Sequence, residues 1–69
     1  MLAQLEALIA LEELGTMTRA AARLRVTQSA ISKRIAGLEH EMGGRIIERT
    51  GRAVRVTALG RRLAAHARP

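Results

Sequence analysis

The chain has no cysteine, no aspartate and no aromatic residue, and its single proline is Pro69 at the end. Without cysteine, neither a disulfide framework nor a thiolate zinc site can help a small fold hold together, which fits a reducing cytosol. Aspartate is missing too, and His40 and His66 lie far apart with no carboxylate motif beside them, so no catalytic triad or metal-ligand spacing is visible. Ser29 and Ser32 have no base within helical reach. Gly43-Gly44 and Gly51 lack the spacing of a phosphate-binding loop. Neither enzymatic activity, nor a metal, nor a cofactor is expected. Long hydrophobic runs are also lacking: the apolar stretch Ala7 to Leu11 falls far short of the ~20 residues a membrane span needs, and no signal-peptide pattern opens the chain. The expectation is a soluble, cytoplasmic protein with no membrane partner. A length of 69 residues gives one domain, which buries only ~60% of the surface its unfolded chain exposes, so a roomy internal active site is not expected.

Charge is present mostly in one sign. Twelve Lys and Arg stand against six Glu, a net charge of +6, and the two signs are segregated along the chain. Glu6, Glu12 and Glu13 fall in residues 1–14 with no base among them. Arg19, Arg23, Arg25, Lys33 and Arg34 fall in residues 15–34 with no acid, and the last 21 residues again carry bases only. A basic face of this kind raises the local concentration of polyanions. Nucleic acid fits better than membrane, because no stretch joins the bases to a bulky aromatic face. The plain alternative is a basic face kept for solubility.

Apolar residues at helical spacing (Leu2, Leu5, Leu8, Ile9, Leu11) followed by Gly15 predict a first helix over 2–14. Thr18 is read as the N-cap of a short helix from Arg19 to Leu24, whose Ala20, Ala21 and Leu24 pack closely on a neighbour. After a tight connection at Arg25-Val26, Thr27 caps a longer helix from Gln28 to Met42, which ends at Gly43-Gly44. The period then changes to that of a strand: Ile46-Ile47 and Val54, Val56 flank the turn residues Thr50-Gly51-Arg52, a short β-hairpin. Thr57 caps a last helix carrying Leu59 and Leu63 one turn apart.

The helix after Val26 carries the functional argument. At about 100° per residue, Ile31, Ile35, Leu38 and Met42 fall within a band roughly 60° wide, which is the buried stripe. Ser29, Ser32, Lys33, Ala36 and His40 then face outward, with Gln28 and Arg34 on the flanks. Such a face, small and hydrogen-bonding and basic near its N-terminus, suits a major groove about 12 Å wide, where Lys reads guanine, Gln reads adenine and Ser reads either. The helix N-terminus favours a phosphate nearby. The preceding short helix supplies the other half of a helix-turn-helix, although Arg25 stands in the turn where glycine is common. Arg49, Arg52 and Arg55, on or beside the hairpin turn, suit a minor groove or phosphate. Their plain alternative is an edge hairpin defended by arginines against aggregation.

At this point two runs, "TRAA..L.VTQ.A.S..I..LE..MG" and "I.ERTGR.V.VT..G", stand in order and at matching spacing. From about Leu5 onward the sequence resembles the N-terminal DNA-binding domain of LysR-type transcriptional regulators. The resemblance implies a mainly α, winged helix-turn-helix domain over 1–57, with three core helices and a hairpin wing, and the start of a linker helix over 58–69. It implies that the partner is double-stranded DNA, with Thr27, Gln28, Ser32 and Lys33 at bases and backbone in the major groove, Arg34 near phosphate and Arg52 in the minor groove. Thr18, Ser29 and Arg49 complete the expected contact set. Ser29 stands where the family usually has proline, and Met17 and Ile47 where it usually has phenylalanine. The family's linker helix and effector-binding domain would follow Pro69, so the chain reads as a piece of a longer regulator, with no small-molecule effector bound by this part.

The remaining rival is a protein-interaction module. Leu2, Leu5 and Ile9 on the first helix and Leu59 and Leu63 on the last could pair with a partner. In the family these two helices form the dimer contacts, so the resemblance implies a homodimer for the longer protein and weak dimerisation for these residues alone.

Overall fold

A computed structural model describes residues 2–69. Four helices and one hairpin follow in the order α1 (Leu2–Leu14), α2 (Met17–Leu24), α3 (Gln28–Met42), β1 (Ile47–Thr50), β2 (Ala53–Val56) and α4 (Ala58–Ala67). No helix among the described residues is long and apolar enough to cross a membrane. Leu8, Leu11, Ile31, Ile35, Leu38 and Ile46 are fully buried where α1, α2, α3 and the start of the hairpin meet. Each such side chain contributes about 1.5–3 kcal/mol on burial.

Helix ends are set by local chemistry. Gly15, at φ 80°, stops α1 and lets the chain reverse. The next residue, Thr16, caps α2: its hydroxyl accepts from the Arg19 N–H at 3.1 Å. This corrects the expectation that Thr18 is the cap. Helix α2 begins at Met17, and Thr18 lies on its exposed face, because the earlier threonine, placed directly after the turn glycine, meets the first free N–H groups. Arg25 leaves α2 in the left-handed conformation (φ 57°), with its own N–H and that of Val26 returning to the carbonyls of Ala22 and Ala21. Thr27 caps α3 through the Ala30 N–H at 3.0 Å, as expected.

Met42 departs from expectation. It falls on the buried stripe by angle, yet it is 40% exposed, as the last residue of α3 directly before the left-handed cap Gly43. Met17, by contrast, is buried in the core.

The hairpin is antiparallel, with Ile47 opposite Val56, Glu48 opposite Arg55, Arg49 opposite Val54 and Thr50 opposite Ala53. Its loop is the two residues Gly51-Arg52, shorter than the three-residue turn read from sequence, and Gly51 at φ 61° takes the position of a tight primed turn that requires glycine. Alternation puts Ile47, Arg49, Val54 and Val56 on the face toward the helices, and Glu48, Thr50, Ala53 and Arg55 on the other. Hydrogen bonds to both the α1–α2 turn and α3 fasten the hairpin. The Val54 N–H donates to the Gly15 carbonyl at 2.8 Å, with a bridge between Thr16 and Ala53. The Glu39 carboxylate on α3 accepts from the Ile46 N–H at 2.8 Å and from Arg45 Nε at 3.3 Å.

Helix α4 returns to the core. Thr57 accepts from the Gly60 N–H and donates to the Arg45 carbonyl at 2.7 Å. Gly60 and Ala64 are buried, and at its far end Arg68 pairs with Glu12 and Glu13 of α1.

Candidate nucleic-acid interface

Helix α3 presents its first turns to solvent on the side away from Ile31 and Ile35. Thr27, Gln28, Ser29 and Lys33 are exposed, while Ser32 and Arg34 are half-buried. Beside this turn opens a cleft of about 470 Å³ between α2, the start of α3 and the wing, lined by Thr18, Arg19, Gln28, Arg49 and Arg52 among others. Of the expected contact residues, Thr18, Gln28, Arg49 and Arg52 are brought together around this cleft. Arg52 occupies the second position of the hairpin loop and is exposed. Arg55 is not on this face: the strand register turns it to the opposite side of the hairpin, beside Glu48.

Two hydrogen bonds tie the surface together. The Gln28 side-chain amide donates to the Thr18 hydroxyl at 3.2 Å. Arg49 Nη2 donates to Ser32 Oγ at 2.8 Å, reaching from β1 to the middle of α3. The sequence placed Arg49 with the wing tip and did not suggest this contact, but the period-two alternation of β1, which sets Arg49 on the same face as Ile47, carries the signal. Arg19 was not singled out either; it lies one position after Thr18 on α2 and joins the cleft wall.

Electrostatics sharpen the asymmetry. Glu12 and Glu13, the acids at the end of α1, are taken up by ion pairs with Arg68 and Arg23 on the side formed by α1, α2 and α4. The Arg68 and Arg23 guanidiniums hold the Glu13 carboxyl below its ordinary value, Arg68 having the larger effect. The same contacts, Glu12 first, raise Arg68. No ion pair among the described residues involves Arg19, Lys33, Arg34, Arg49 or Arg52. The cleft face thus keeps its positive charge. Residues assigned to dimer contacts divide by burial: Leu2 is 72% exposed, while Leu5, Ile9, Leu59 and Leu63 are half-buried and lie against the core. No group of three or more His, Cys, Asp or Glu side chains gathers at metal-binding distance among the described residues.

Comparison with known proteins places this geometry. The family model described as bacterial regulatory helix-turn-helix protein, lysR family, matches residues 2–61. An HTH-type transcriptional regulator of Azotobacter vinelandii is 50% identical over 62 residues, which span 90% of this chain and 43% of that protein. The SDS degradation transcriptional activation protein of a Pseudomonas species is 42% identical over 67 residues, 97% of this chain and 22% of that protein. The chain thus spans less than half the length of these relatives. Among solved structures, the DNA-binding domain of CbnR in complex with DNA superimposes with a TM-score of 0.91 at 36% identity, covering 97% of this chain and 77% of that one. Full-length CbnR complexed with its target DNA gives the same TM-score, with 23% of that chain covered. With the helix pair, the wing and the basic cleft in place, and a family match running over nearly the whole chain, the protein belongs to the lysR family of bacterial regulatory helix-turn-helix proteins.

Proposed function

We propose that this chain is the sequence-specific, double-stranded-DNA-binding part of a transcriptional regulator. The observation that carries the proposal is the one cleft lined by exposed Thr18 and Gln28 of the helix pair and exposed Arg49 and Arg52 of the wing, with Ser29 and Lys33 exposed on the first turns of the same helix α3. In this reading α3 enters the major groove with Gln28, Ser29, Ser32 and Lys33 at base edges, while Thr18 and Thr27 meet backbone. Arg34 neutralises phosphate, and Arg52 reaches the adjacent minor groove. The similarity to CbnR, solved with DNA, supports this arrangement. The longer regulator acts as a homodimer held through α1 and the continuation of α4, in the cytoplasm, and carries out no reaction of its own.

Anisotropy of the chain with a labelled duplex at several salt concentrations tests the proposal. Log affinity is expected to fall steeply with log salt, by about 0.9 for each phosphate neutralised. Ser32→Ala and Lys33→Ala should relax sequence choice, whereas Arg34→Ala and Arg52→Ala should weaken all duplexes alike. Absence of binding at low salt, with the chain also held as a forced dimer, would refute it.

A further inference from the structure

We propose that Arg49 is a positioning residue which sets the hydrogen-bonding polarity of Ser32, making that serine a donor toward the base it meets. The proposal rests on α3 reading the major groove, and goes beyond it by assigning which kind of base edge Ser32 selects.

A serine hydroxyl has one hydrogen to give and two lone pairs to receive with, so on its own it reads donors and acceptors alike. In this chain one lone pair is engaged. Arg49 Nη2 donates to Ser32 Oγ at 2.8 Å, and a guanidinium can only donate. Charge-assisted bonds of this kind are stronger than neutral ones, so the lone pair stays occupied. The hydroxyl hydrogen is not drawn into the protein: the common alternative for a helical serine, a bond to the carbonyl one turn back, is not present among the described residues. Ser32 is half-buried, open enough for its hydrogen to meet a base and enclosed enough for its orientation to be held. One lone pair remains, but an oxygen already accepting from a cation is a poorer second acceptor and its hydroxyl a better donor, so what it offers the groove is foremost its O–H.

The consequence follows from the pattern of base edges. Guanine N7 and O6, adenine N7 and thymine O4 accept, whereas cytosine N4 and adenine N6 donate. A serine biased toward donating prefers the first set and disfavours a cytosine amine. The contact depends on strand geometry, since Arg49 lies on the face of β1 that looks toward the helices, opposite Val54. Arg49 has further N–H groups, which remain free for phosphate. One residue of the wing in this way bears on what the recognition helix reads.

Selection from a pool of random duplexes, followed by affinities for the enriched duplex and its single-base-pair variants, tests this. The proteins compared are the unaltered chain, Ser32→Ala, Arg49→Met, Arg49→Lys and the double variant Ser32→Ala/Arg49→Met; Arg49→Ala replaces Arg49→Met if the latter does not melt cooperatively. The expected result is one base pair at which Ser32→Ala and Arg49→Met each lose about a fivefold preference. There the double variant loses no more, and Arg49→Lys, which still donates, retains the preference. A uniform loss across all duplexes for Arg49→Met, with every preference intact, would overturn the proposal and leave Arg49 a phosphate contact. If the unaltered chain enriches no motif, the DNA-reading function itself fails and this inference falls with it.

Discussion

Gly60 shows how tightly single positions are set. A methyl group there would lie 2.4 Å from the Ile46 carbonyl oxygen and 2.6 Å from Val56 Cγ1, backbone and strand atoms with no room to withdraw. Gly60→Ala gains helix propensity worth about 1 kcal/mol but forces an overpacked contact, and the net expected effect is a destabilisation of roughly 1–3 kcal/mol. Thermal melting should show a fall of at least about 4 °C; an unchanged or raised midpoint would mean that α4 shifts off the hairpin freely. From sequence, the position was legible only as part of the family run. Sequence resolved chemistry along a helix better than contacts between elements. Of the outward set, Ser29, Lys33, Ala36 and His40 are exposed as the angular arithmetic requires, while Ser32 is half-buried beside Arg49. That arithmetic has no axial coordinate, so it could not show that Met42, the last residue of α3, stands open. The sequence reads Thr18 as the cap of α2, and the exact place of the glycine turn, which the periodicity does not give, hands that role to Thr16. The Arg49 to Ser32 bond spans 17 positions; alternation along β1 sets the face of Arg49 but not its partner.

Among the elements, α4 is held to α1 by charge as well as by packing. Arg68 meets Glu12 and Glu13, and Glu13 also meets Arg23 of α2. Because these guanidiniums lower the Glu13 carboxyl from its ordinary 4.5, the folded state prefers the ionised form. The stabilisation is therefore complete above about pH 4.5 and is lost as pH falls through the lower, folded value. Melting curves between pH 6 and pH 3 should show a decline that Glu13→Gln reduces, and identical slopes for the two proteins would remove the carboxyl from the account. The order of elements was legible because each boundary carries its own signal: glycine after α1 and α3, a threonine before α2, α3 and α4, and the change of period at Ile46. The clamp was not, since acids and bases 55 and 56 positions apart show in a sequence only as segregated blocks.

At the scale of the whole molecule, those blocks separate in space. The acids at the end of α1 are consumed by ion pairs with Arg68 and Arg23, while Arg19, Arg49 and Arg52, unpaired among the described residues, line the cleft. Exposed apolar area is scarce: among the described residues, the large hydrophobics that stand open are Leu2 and Met42. A stable dimer usually buries about 1,200–2,000 Å² in total, and Leu5, Ile9, Leu59 and Leu63 already spend part of their surface on their own core. Sedimentation of this chain without DNA at tens of micromolar should accordingly show mainly monomer; a purely dimeric boundary would contradict this.

The hydrogen bond from Val54 to the Gly15 carbonyl has a thermodynamic consequence for binding. A wing hanging from two strand ends would have to be immobilised when it met DNA, and ordering costs of that sort, about 0.5–1.5 kcal/mol for each long side chain and more for backbone, are deducted from affinity. Here the wing is stitched to the turn between α1 and α2, so that entropy is surrendered once, during folding. In the binding mode proposed above, the preorganised hairpin and helix pair meet the two grooves together, and the distance between the grooves they fit is a property of the fold rather than of the encounter.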